Sequence, residues 1–176
     1  MPQRERSTDN GVADDRRVTR VYLGDHLAMM RAGAALTGRM RGSGHHDGAA
    51  DLLDRVAAEL DAGQDTIVVF LRQLGTSPPR LKLAAATMAE RLGRAKLNGR
   101  IVTRSPLSGL MELEGLGLAM AGTVALWRAL ERAGIASDNL VRGHAERCEG
   151  LAAELEEAGL AVAAPVLGAT SGSIPR

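Results

Sequence analysis

The sequence is poor in aromatic residues and in cysteine, and it carries almost no net charge. Aromatic side chains make up 2% of the 176 residues, so a core has to be built from Leu, Val, Met and Ala. Cys148 is the single cysteine, which excludes an internal disulfide and suits a reducing cytoplasm. A formal net charge of +1 provides no global field that would attract nucleic acid or a membrane surface.

Long apolar runs are also missing. The N-terminal stretch MPQRERSTDNGVADDRR is charged where a secretion signal requires an apolar segment. The longest uncharged apolar stretch, Gly115 to Trp127, is shorter than the roughly 20 residues that cross a bilayer. The hydrophobic content of 45% is ordinary for a packed protein, and the length corresponds to one domain. The sequence therefore predicts a soluble cytoplasmic protein with no membrane partner.

The sequence does contain clear helical periodicity. Apolar residues that recur every three or four positions predict four long helices and one shorter helix, with no convincing strand. The predicted helices cover residues 18–41, 48–74, 77–97, 105–132 and 137–160. We expect Asp47 to cap the second helix, and Gly75 and Gly134 to end the helices before them. Residues 1–16 are predicted to be a disordered arm, 17–162 the domain, and 163–176 a flexible tail.

The lengths of the links indicate how the helices connect. Short links within the first and the last pair of long helices predict two antiparallel hairpins. The shorter helix at 77–97 is about 25 Å long, enough with the following RIVTR to carry the chain from one end of a bundle to the other. A long crossover between two hairpins is the connectivity of ferritin-like bundles. The predicted fold is therefore all-α, a four-helix ferritin-like bundle with an extra crossover helix between the second and third long helices.

Several segments resemble a group of uncharacterised ferritin-like helical bundle proteins that is common in actinobacteria. These segments are DHLAMMRAGAALTGRM, AAELDAGQDTIVVFLRQLG, AERLGRAKLNGRIVTRSPLSGLMELEGL and ALWRAL. The resemblance covers about residues 18–158, and it implies the fold without implying an activity. Active ferritin-like di-iron proteins carry Glu on two helices and Glu-x-x-His on two more. None of His26, His45, His46 and His144 has Glu three residues before it, so the standard di-iron motif is missing.

Each long helix carries a polar or thiol side chain on the face that the periodicity predicts to be buried. Glu114 is the most unusual of these, because a helical wheel places it among Leu107, Met111 and Leu118. An ionised carboxylate in a dry core needs a partner or a proton. We therefore expect a buried polar layer across the middle of the bundle, with Glu114 facing His26. The predicted members of this layer are His26, Gln64, Glu114, His144 and Cys148.

The sequence leaves more than one interpretation of this layer open. It can be a satisfied hydrogen-bonded network that fixes the register of the helices. It can instead be a metal site formed by some of His26, Glu114, His144 and Cys148, or line a small ligand pocket. Imidazole, carboxylate and thiolate together suit zinc better than iron. Cys148 is expected to be buried and inert, so covalent catalysis is not expected.

The segment from Arg80 to Arg104 is the most charge-biased part of the chain. Seven basic residues against one acid give it a local balance of +6, whereas six acids against two arginines give the last predicted helix −4. These surfaces can simply balance each other or meet between subunits. The alternative is an anion- or nucleic-acid-binding site. Its residues would be Arg91, Arg94, Lys96, Arg100 and Arg104. No aromatic residue is interleaved to stack on bases, so nucleic acid is not the expected partner.

Three smaller features complete the pattern. The loop residues His45, His46 and Asp47 are expected to form a solvated turn. Four glycines within the predicted helix 105–132 allow close approach of neighbouring backbones, so that helix is expected to be central. Trp127 is expected to be a core residue or a dimer contact.

Together these observations predict a ferritin-like helical bundle that acts as a binding or assembly protein without catalytic activity. Its expected partner is a second copy of the chain or another protein. No cofactor is expected under this interpretation. Two alternatives remain: a metal-dependent oxidoreductase or metal-handling protein with a nonstandard site, and an anion- or nucleic-acid-binding module that uses the basic crossover helix.

Overall fold

In the computed structural model the chain is described for residues 4–43, 46–76, 106–136 and 138–168. These residues form four helices: α1 (Arg4–Arg41), α2 (Ala50–Gln73), α3 (Pro106–Arg132) and α4 (Asp138–Leu167). A 3₁₀ turn at Asp47–Ala49 precedes α2. No strand occurs within the described ranges, and the predicted all-α class is confirmed for them. The predicted crossover helix at 77–97 lies outside these residues.

Helices α1 and α2 form an antiparallel hairpin. Arg41, at the end of α1, forms an ion pair with Asp54 near the start of α2, with Nε 2.6 Å from Oδ1. Earlier in α1, Met30 packs against Gly63, which lies further along α2. Because a later residue of α1 meets an earlier residue of α2, the two helices run in opposite directions.

Helices α3 and α4 form the second antiparallel hairpin. Arg128 near the end of α3 forms an ion pair with Glu149, with 2.7 Å between Nη2 and Oε1. Leu110 near the start of α3 packs against Gly159, much later in α4. The hairpins meet along α1 with α3 and along α2 with α4, so the four helices form a closed ring.

The contacts between the two hairpins also show how α2 and α3 are oriented relative to each other. Gly122 of α3 faces Met29, and Gly115 faces Leu36, so α3 runs antiparallel to α1 as α2 does. Helices α2 and α3 are therefore parallel to each other. The described end of α2 and the described start of α3 lie at opposite ends of the bundle, as the predicted topology requires.

The core is aliphatic, as the composition predicts. Trp127 is fully buried in this core, and this agrees with its predicted core position. All four helices contribute buried side chains to the core. They include Leu23, Met30, Met40, Leu53, Leu60, Ile67, Leu71, Leu113, Leu116, Met120, Leu126, Val141 and Leu155.

The rotation of α3 differs from the prediction. The wheel placed Leu107, Met111 and Leu118 on the buried side, yet these side chains are 47%, 58% and 75% exposed. The opposite side of the helix, with Leu113 and Leu116, is buried instead. Helix α3 is apolar over most of its circumference, so periodicity alone does not determine which side faces the core. In α1 the predicted layer residue His26 is only partly buried, whereas Leu23, Leu27 and Met30 are buried.

The ends of the helices agree with the prediction in part. Gly75 and Gly134 adopt positive φ values of 78° and 64° after α2 and α3, as expected for helix-ending glycines. The predicted Asp47 cap is wrong, because Ala49 is the N-cap residue of α2 and no side chain caps it. Helix α1 begins earlier than predicted, at Arg4, and α4 continues to Leu167 with Pro165 within its last turns.

Helix α3 is also notable for its composition. From Leu107 to Arg132 it is the one described helix that is long and apolar enough to cross a membrane, with a mean hydropathy of 1.3. The central helix of a packed domain meets the same criterion. In this helix, 33% of the 18-residue segment with the highest mean hydropathy is buried in the bundle.

Candidate functional site

A buried hydrogen bond between side chains joins α2 to α4 in the middle of the bundle. Glu59 of α2 and His144 of α4 have side chains that are only 8% and 4% exposed. The His144 Nδ1 atom lies 2.6 Å from Glu59 Oε1, and it donates the hydrogen bond because a carboxylate accepts. The second ring nitrogen of His144, Nε2, lies 3.2 Å from the Thr66 hydroxyl oxygen. Both ring nitrogens of His144 therefore lie within hydrogen-bond distance of side chains of α2.

Arg147 supplies a cation to the same carboxylate. Its Nε donates to Glu59 Oε2 at 2.6 Å, and its Nη2 approaches Oε1 at 3.4 Å. Arg147 lies one turn after His144 on α4, so the same helix face delivers both groups. The guanidinium is 54% exposed, whereas the carboxylate is buried. Arg147 therefore covers Glu59 from the solvent side.

Cys148 and Trp127 close the cluster on the side of the core. Both are fully buried, and the Cys148 sulfur lies 3.9 Å from Glu59 Oε1. The Trp127 ring stacks on the His144 ring, with centroids 4.5 Å apart and an interplanar angle of 15°. The cluster of Glu59, Thr66, Trp127, His144, Arg147 and Cys148 is called the Glu59 cluster below.

The pKa shifts in the Glu59 cluster favour an ionised Glu59 paired with Arg147 over a carboxyl group that exchanges its proton near neutral pH. Burial opposes the ionisation of Glu59, but the hydrogen bonds from His144 and Arg147 outweigh it and lower the pKa of Glu59 below its ordinary value. Burial, together with the negative charge of Glu59, raises the pKa of the Cys148 thiol to about 12. The thiol is therefore protonated at neutral pH, and it is not an activated nucleophile.

The donor set of the cluster does not match a metal site. Within the described ranges, no group of three or more His, Cys, Asp or Glu side chains is arranged to hold a metal ion. Both oxygens of Glu59 accept hydrogen bonds, and the Arg147 guanidinium supplies the positive charge that a bound cation would bring.

The predicted polar layer is assembled only in part. His144 and Cys148 lie together in the buried cluster, as expected. The placement of Glu114 is wrong: its side chain is exposed, on the outer side of α3. The predicted pairing of Glu114 with His26 is therefore wrong as well. Burying the neutral side of α3 leaves this carboxylate hydrated, which avoids the cost of desolvating a charge.

The other two predicted members lie closer to the surface. His26 is partly exposed, and it packs edge-on against Tyr22 with ring centroids 4.5 Å apart. Burial lowers the pKa of His26, and the nearby Asp25 opposes this shift. Gln64 is partly exposed and donates to Asp61 one turn earlier on α2, 3.1 Å away. Neither residue is part of the Glu59 cluster.

The loop between α1 and α2 contains a buried contact that the sequence did not predict. His46 was expected in a solvated turn, but the residue is only 8% exposed. Its Nε2 lies 3.0 Å from Glu112 Oε2 of α3, and its ring also packs against Gly109. This contact ties the α1–α2 connection to the start of α3. His45 and the side chain of Asp47 lie outside the described residues.

The predicted anion site also falls outside the described part of the chain. Its residues Arg91, Arg94, Lys96, Arg100 and Arg104 all belong to the segment between 76 and 106. The anion- and nucleic-acid-binding hypothesis therefore stays a prediction.

An open apolar groove between α3 and α4 lies on the outside of the bundle. It encloses about 860 Å³, and its walls combine Leu118 and Ala121 of α3 with Ala153 and Leu160 of α4. Leu118 and Leu160 are 75% and 66% exposed. Charged residues border it: Glu114 and Arg128 on α3, and Glu149 and Glu156 on α4. This surface is called the α3–α4 groove below.

The groove and the Glu59 cluster are separate features. No residue of the cluster lines the groove. The cluster is closed and charge-paired, whereas the groove is open and largely apolar. Comparison of the chain with protein-family models, with curated proteins and with solved structures found no match.

Sequence reasoning missed Glu59 and Arg147 for an identifiable reason. Arg147 was counted only in the charge balance of the last helix, and Glu59 was not considered, although it lies on the same wheel sector as Val56 and Gly63. A signal was present in the last helix, where Arg147 directly precedes the buried Cys148 and follows His144 by one turn. An arginine and a histidine on the same helix face as a buried thiol indicate that a neighbouring helix supplies a carboxylate to pair with them.

Proposed function

We propose that this protein is a ferritin-like helical bundle without the standard di-iron motif, and that it acts by binding or assembly rather than by catalysis. The α3–α4 groove is its binding surface. The single observation that carries the proposal is the pair of large, largely exposed apolar side chains that line this groove, Leu118 of α3 and Leu160 of α4. Contiguous exposed apolar surface of this kind marks interaction sites in folded proteins.

The finer description of the fold belongs to the same proposal. Helices α2 and α3 run parallel, so a crossover along the bundle suits the ends that they present. We assign this crossover to the predicted helix at 77–97. The resemblance to actinobacterial ferritin-like proteins and the cytoplasmic location are further parts of the proposal, and they are supported by the sequence alone.

A non-catalytic function is consistent with the chemistry of the interior. The buried titratable groups of the Glu59 cluster are bound to one another, and Trp127 covers them on the core side. An acid–base or nucleophilic catalyst has to reach its substrate, and its pKa has to lie near the working pH. The pKa of Glu59 is lowered and that of Cys148 is raised, so Glu59 stays a carboxylate and Cys148 stays a thiol at neutral pH. The metal-dependent alternative has less support, because Arg147 already neutralises the carboxylate.

The accessibility of the groove tests this proposal. In the variant Leu118→Cys the new thiol would stand on the exposed apolar stripe, while the native Cys148 is buried and acts as an internal control. We expect Leu118→Cys to react with a maleimide within about tenfold of Glu157→Cys, which reports an exposed position outside the groove. The measurement is made at submicromolar protein.

The opposite outcome is equally clear. If Leu118→Cys is protected by about a hundredfold or more at the lowest protein concentration, the face is covered by the protein's own chain. It would then be unavailable to a partner, and the proposal would be rejected. Far-UV circular dichroism of both variants shows that the labelling rates refer to folded protein.

A further inference from the structure

We infer that the occupant of the α3–α4 groove is a second copy of this chain, with the two α3 helices antiparallel about a two-fold axis at Ala121. This inference rests on the proposed function, since it names the partner of the same surface. Most soluble oligomers are symmetric, and a two-fold interface has to be complementary to itself. The outer face of α3 meets this requirement in both charge and shape.

The charges on the exposed stripe of α3 are placed symmetrically about Ala121. Glu114 lies seven residues before Ala121, and Arg128 lies seven residues after it. Seven residues are almost two full turns, so all three residues share one face of the helix. The two charges are each about 10 Å from the axis, on opposite sides. In an antiparallel pair, each Glu114 therefore comes opposite the partner subunit's Arg128.

Both charged groups are available for this contact. Glu114 is exposed, and its carboxylate forms no hydrogen bond or ion pair with any of the described residues. Arg128 is 65% exposed, and it uses Nη2 to bind Glu149 of its own chain at 2.7 Å. A guanidinium has five N–H donors, so one intrachain bond leaves donors for a second carboxylate. The bond to Glu149 also holds Arg128 at the edge of the groove.

The shape of the face suits close packing of two helices. Ala121 and Ala125 are small and exposed at the middle of the stripe, so the helix axes can approach closely there. Leu118 is the most exposed large apolar side chain in the described part of the chain. With the axis at Ala121, it comes level with the partner subunit's Val124, and the partner subunit's small Ala125 lies about 1.5 Å further along the helix, which leaves room beside it. The large side chain of one copy thus lies beside a small side chain of the other.

The size of the surface predicts the strength of the dimer. From Leu107 to Ala125 the stripe is about 27 Å long, and two adjacent helices are about 20 Å wide. The face therefore projects to roughly 540 Å² for each copy, which lies near the lower limit for specific interfaces. We accordingly expect a dissociation constant in the micromolar range, so monomer and dimer are both observable.

Charge reversal at the two positions tests the arrangement by analytical ultracentrifugation. The wild-type mass should rise from 18.5 kDa towards twice that value as the protein concentration increases. Glu114→Arg places two arginines opposite each other, and Arg128→Glu places two glutamates opposite each other. Each single variant should weaken dimerisation by about tenfold or more. The double variant restores opposite charges across the interface, and it should dimerise about tenfold more tightly than Arg128→Glu, which shares its loss of the intrachain contact with Glu149. Glu157→Arg, outside the groove, is the matched control for a Glu-to-Arg change.

The outcomes separate this inference from the proposed function. A wild-type protein that stays monomeric up to about 100 µM, with Leu118→Cys readily labelled, overturns the dimer but leaves the groove as a binding face. A dimer that both single variants leave unchanged, or that the double variant does not restore, uses another surface and also overturns the inference. Protection of Leu118→Cys at every concentration overturns both. Restoration by the double variant, with labelling of Leu118→Cys that slows as concentration rises, supports both.

Discussion

Replacing Glu59 with glutamine tests whether the buried ion pair between α2 and α4 stabilises the bundle. The substitution keeps the shape of the side chain and removes its charge. Glu59 is 8% exposed, and it accepts one hydrogen bond from the buried His144 and one short bond from Arg147, which is 54% exposed. A second carboxylate, Glu154, makes a comparable two-pronged contact with Arg55 between the same helices, at 2.7 and 2.5 Å. These two partners are both about half exposed.

The expected magnitude follows from the burial of each partner. A charge-assisted hydrogen bond to a buried group contributes about 1.5–3 kcal/mol. The contact with the exposed Arg147 contributes less, about 0.2–1 kcal/mol, because solvent screens it. Glu59→Gln should therefore lower the free energy of unfolding by about 2–4 kcal/mol. Glu154→Gln should leave it almost unchanged, although the distances in the two contacts are similar.

Urea unfolding followed by far-UV circular dichroism measures both variants. A change in midpoint with an unchanged m-value reports stability alone. If Glu59→Gln is as stable as wild type, or if Glu154→Gln costs as much as Glu59→Gln, burial does not decide the strength of these pairs and the reasoning is refuted.

The pH dependence gives the same prediction an independent check. The folded pKa of Glu59 is lowered, so its contribution is fully present above about pH 4.5, where an unperturbed glutamate titrates. The contribution is lost as the pH falls through the folded pKa, below that value. Below about pH 4.5 the stability difference between wild type and Glu59→Gln should therefore shrink, because protonation of Glu59 removes the charge that the variant lacks. A difference that grows as the pH falls below this value would contradict the assignment.

Two further predictions concern the packing and the thiol. Gly63→Ala should destabilise the protein by about 1 kcal/mol, although alanine has the better helix propensity. The reason is that the added Cβ lies 3.1 Å from Met30 Cε and 3.2 Å from the rigid Trp127 ring. Gly150→Ala, where no atom lies within 4 Å of the added Cβ, should instead stabilise the protein by about 0.5–1 kcal/mol, so the two variants should shift the thermal unfolding temperature in opposite directions. Cys148, with a pKa of about 12, should be thiolate in only about one molecule in ten thousand at pH 8, so iodoacetamide should modify it only after denaturation. Rapid modification of the native protein would mean that α4 opens locally or that the thiol is not buried.

The helices and their pairing could be predicted because they depend on local information. Helical periodicity located α2 and α3 closely, and the short links predicted the two hairpins. In α2 the strongly one-sided pattern also indicated the correct core, including Leu53, Leu60 and Ile67. The glycines at 75 and 134 ended their helices as expected, because a positive φ favours residues without a side chain.

The residues of the candidate site were predicted correctly only where the helix has one narrow apolar face, because the pattern then shows which side is buried. His144 and Cys148 lie on the narrow apolar face of α4, and both are buried as expected. Glu114 was misplaced because α3 is apolar on both sides, so the wheel grouped its neighbours correctly but did not show which group faces the core. Glu59 was missed because a glutamate on a long helix is usually solvated, and its partners come from positions 144 and 147 on another helix.

The sequence by itself determined that this chain forms amphipathic helices, where most of them begin and end, and which of them pair, because these properties depend on spacing along one segment. Only the tertiary structure decided how each helix is rotated, which carboxylate is buried and which apolar surface stays open. Those choices depend on the packing of side chains that are far apart in sequence, and on the balance between desolvating a charge and pairing it. That balance keeps Glu59 inside, hydrogen-bonded to His144 and Arg147, and leaves Glu114 in water.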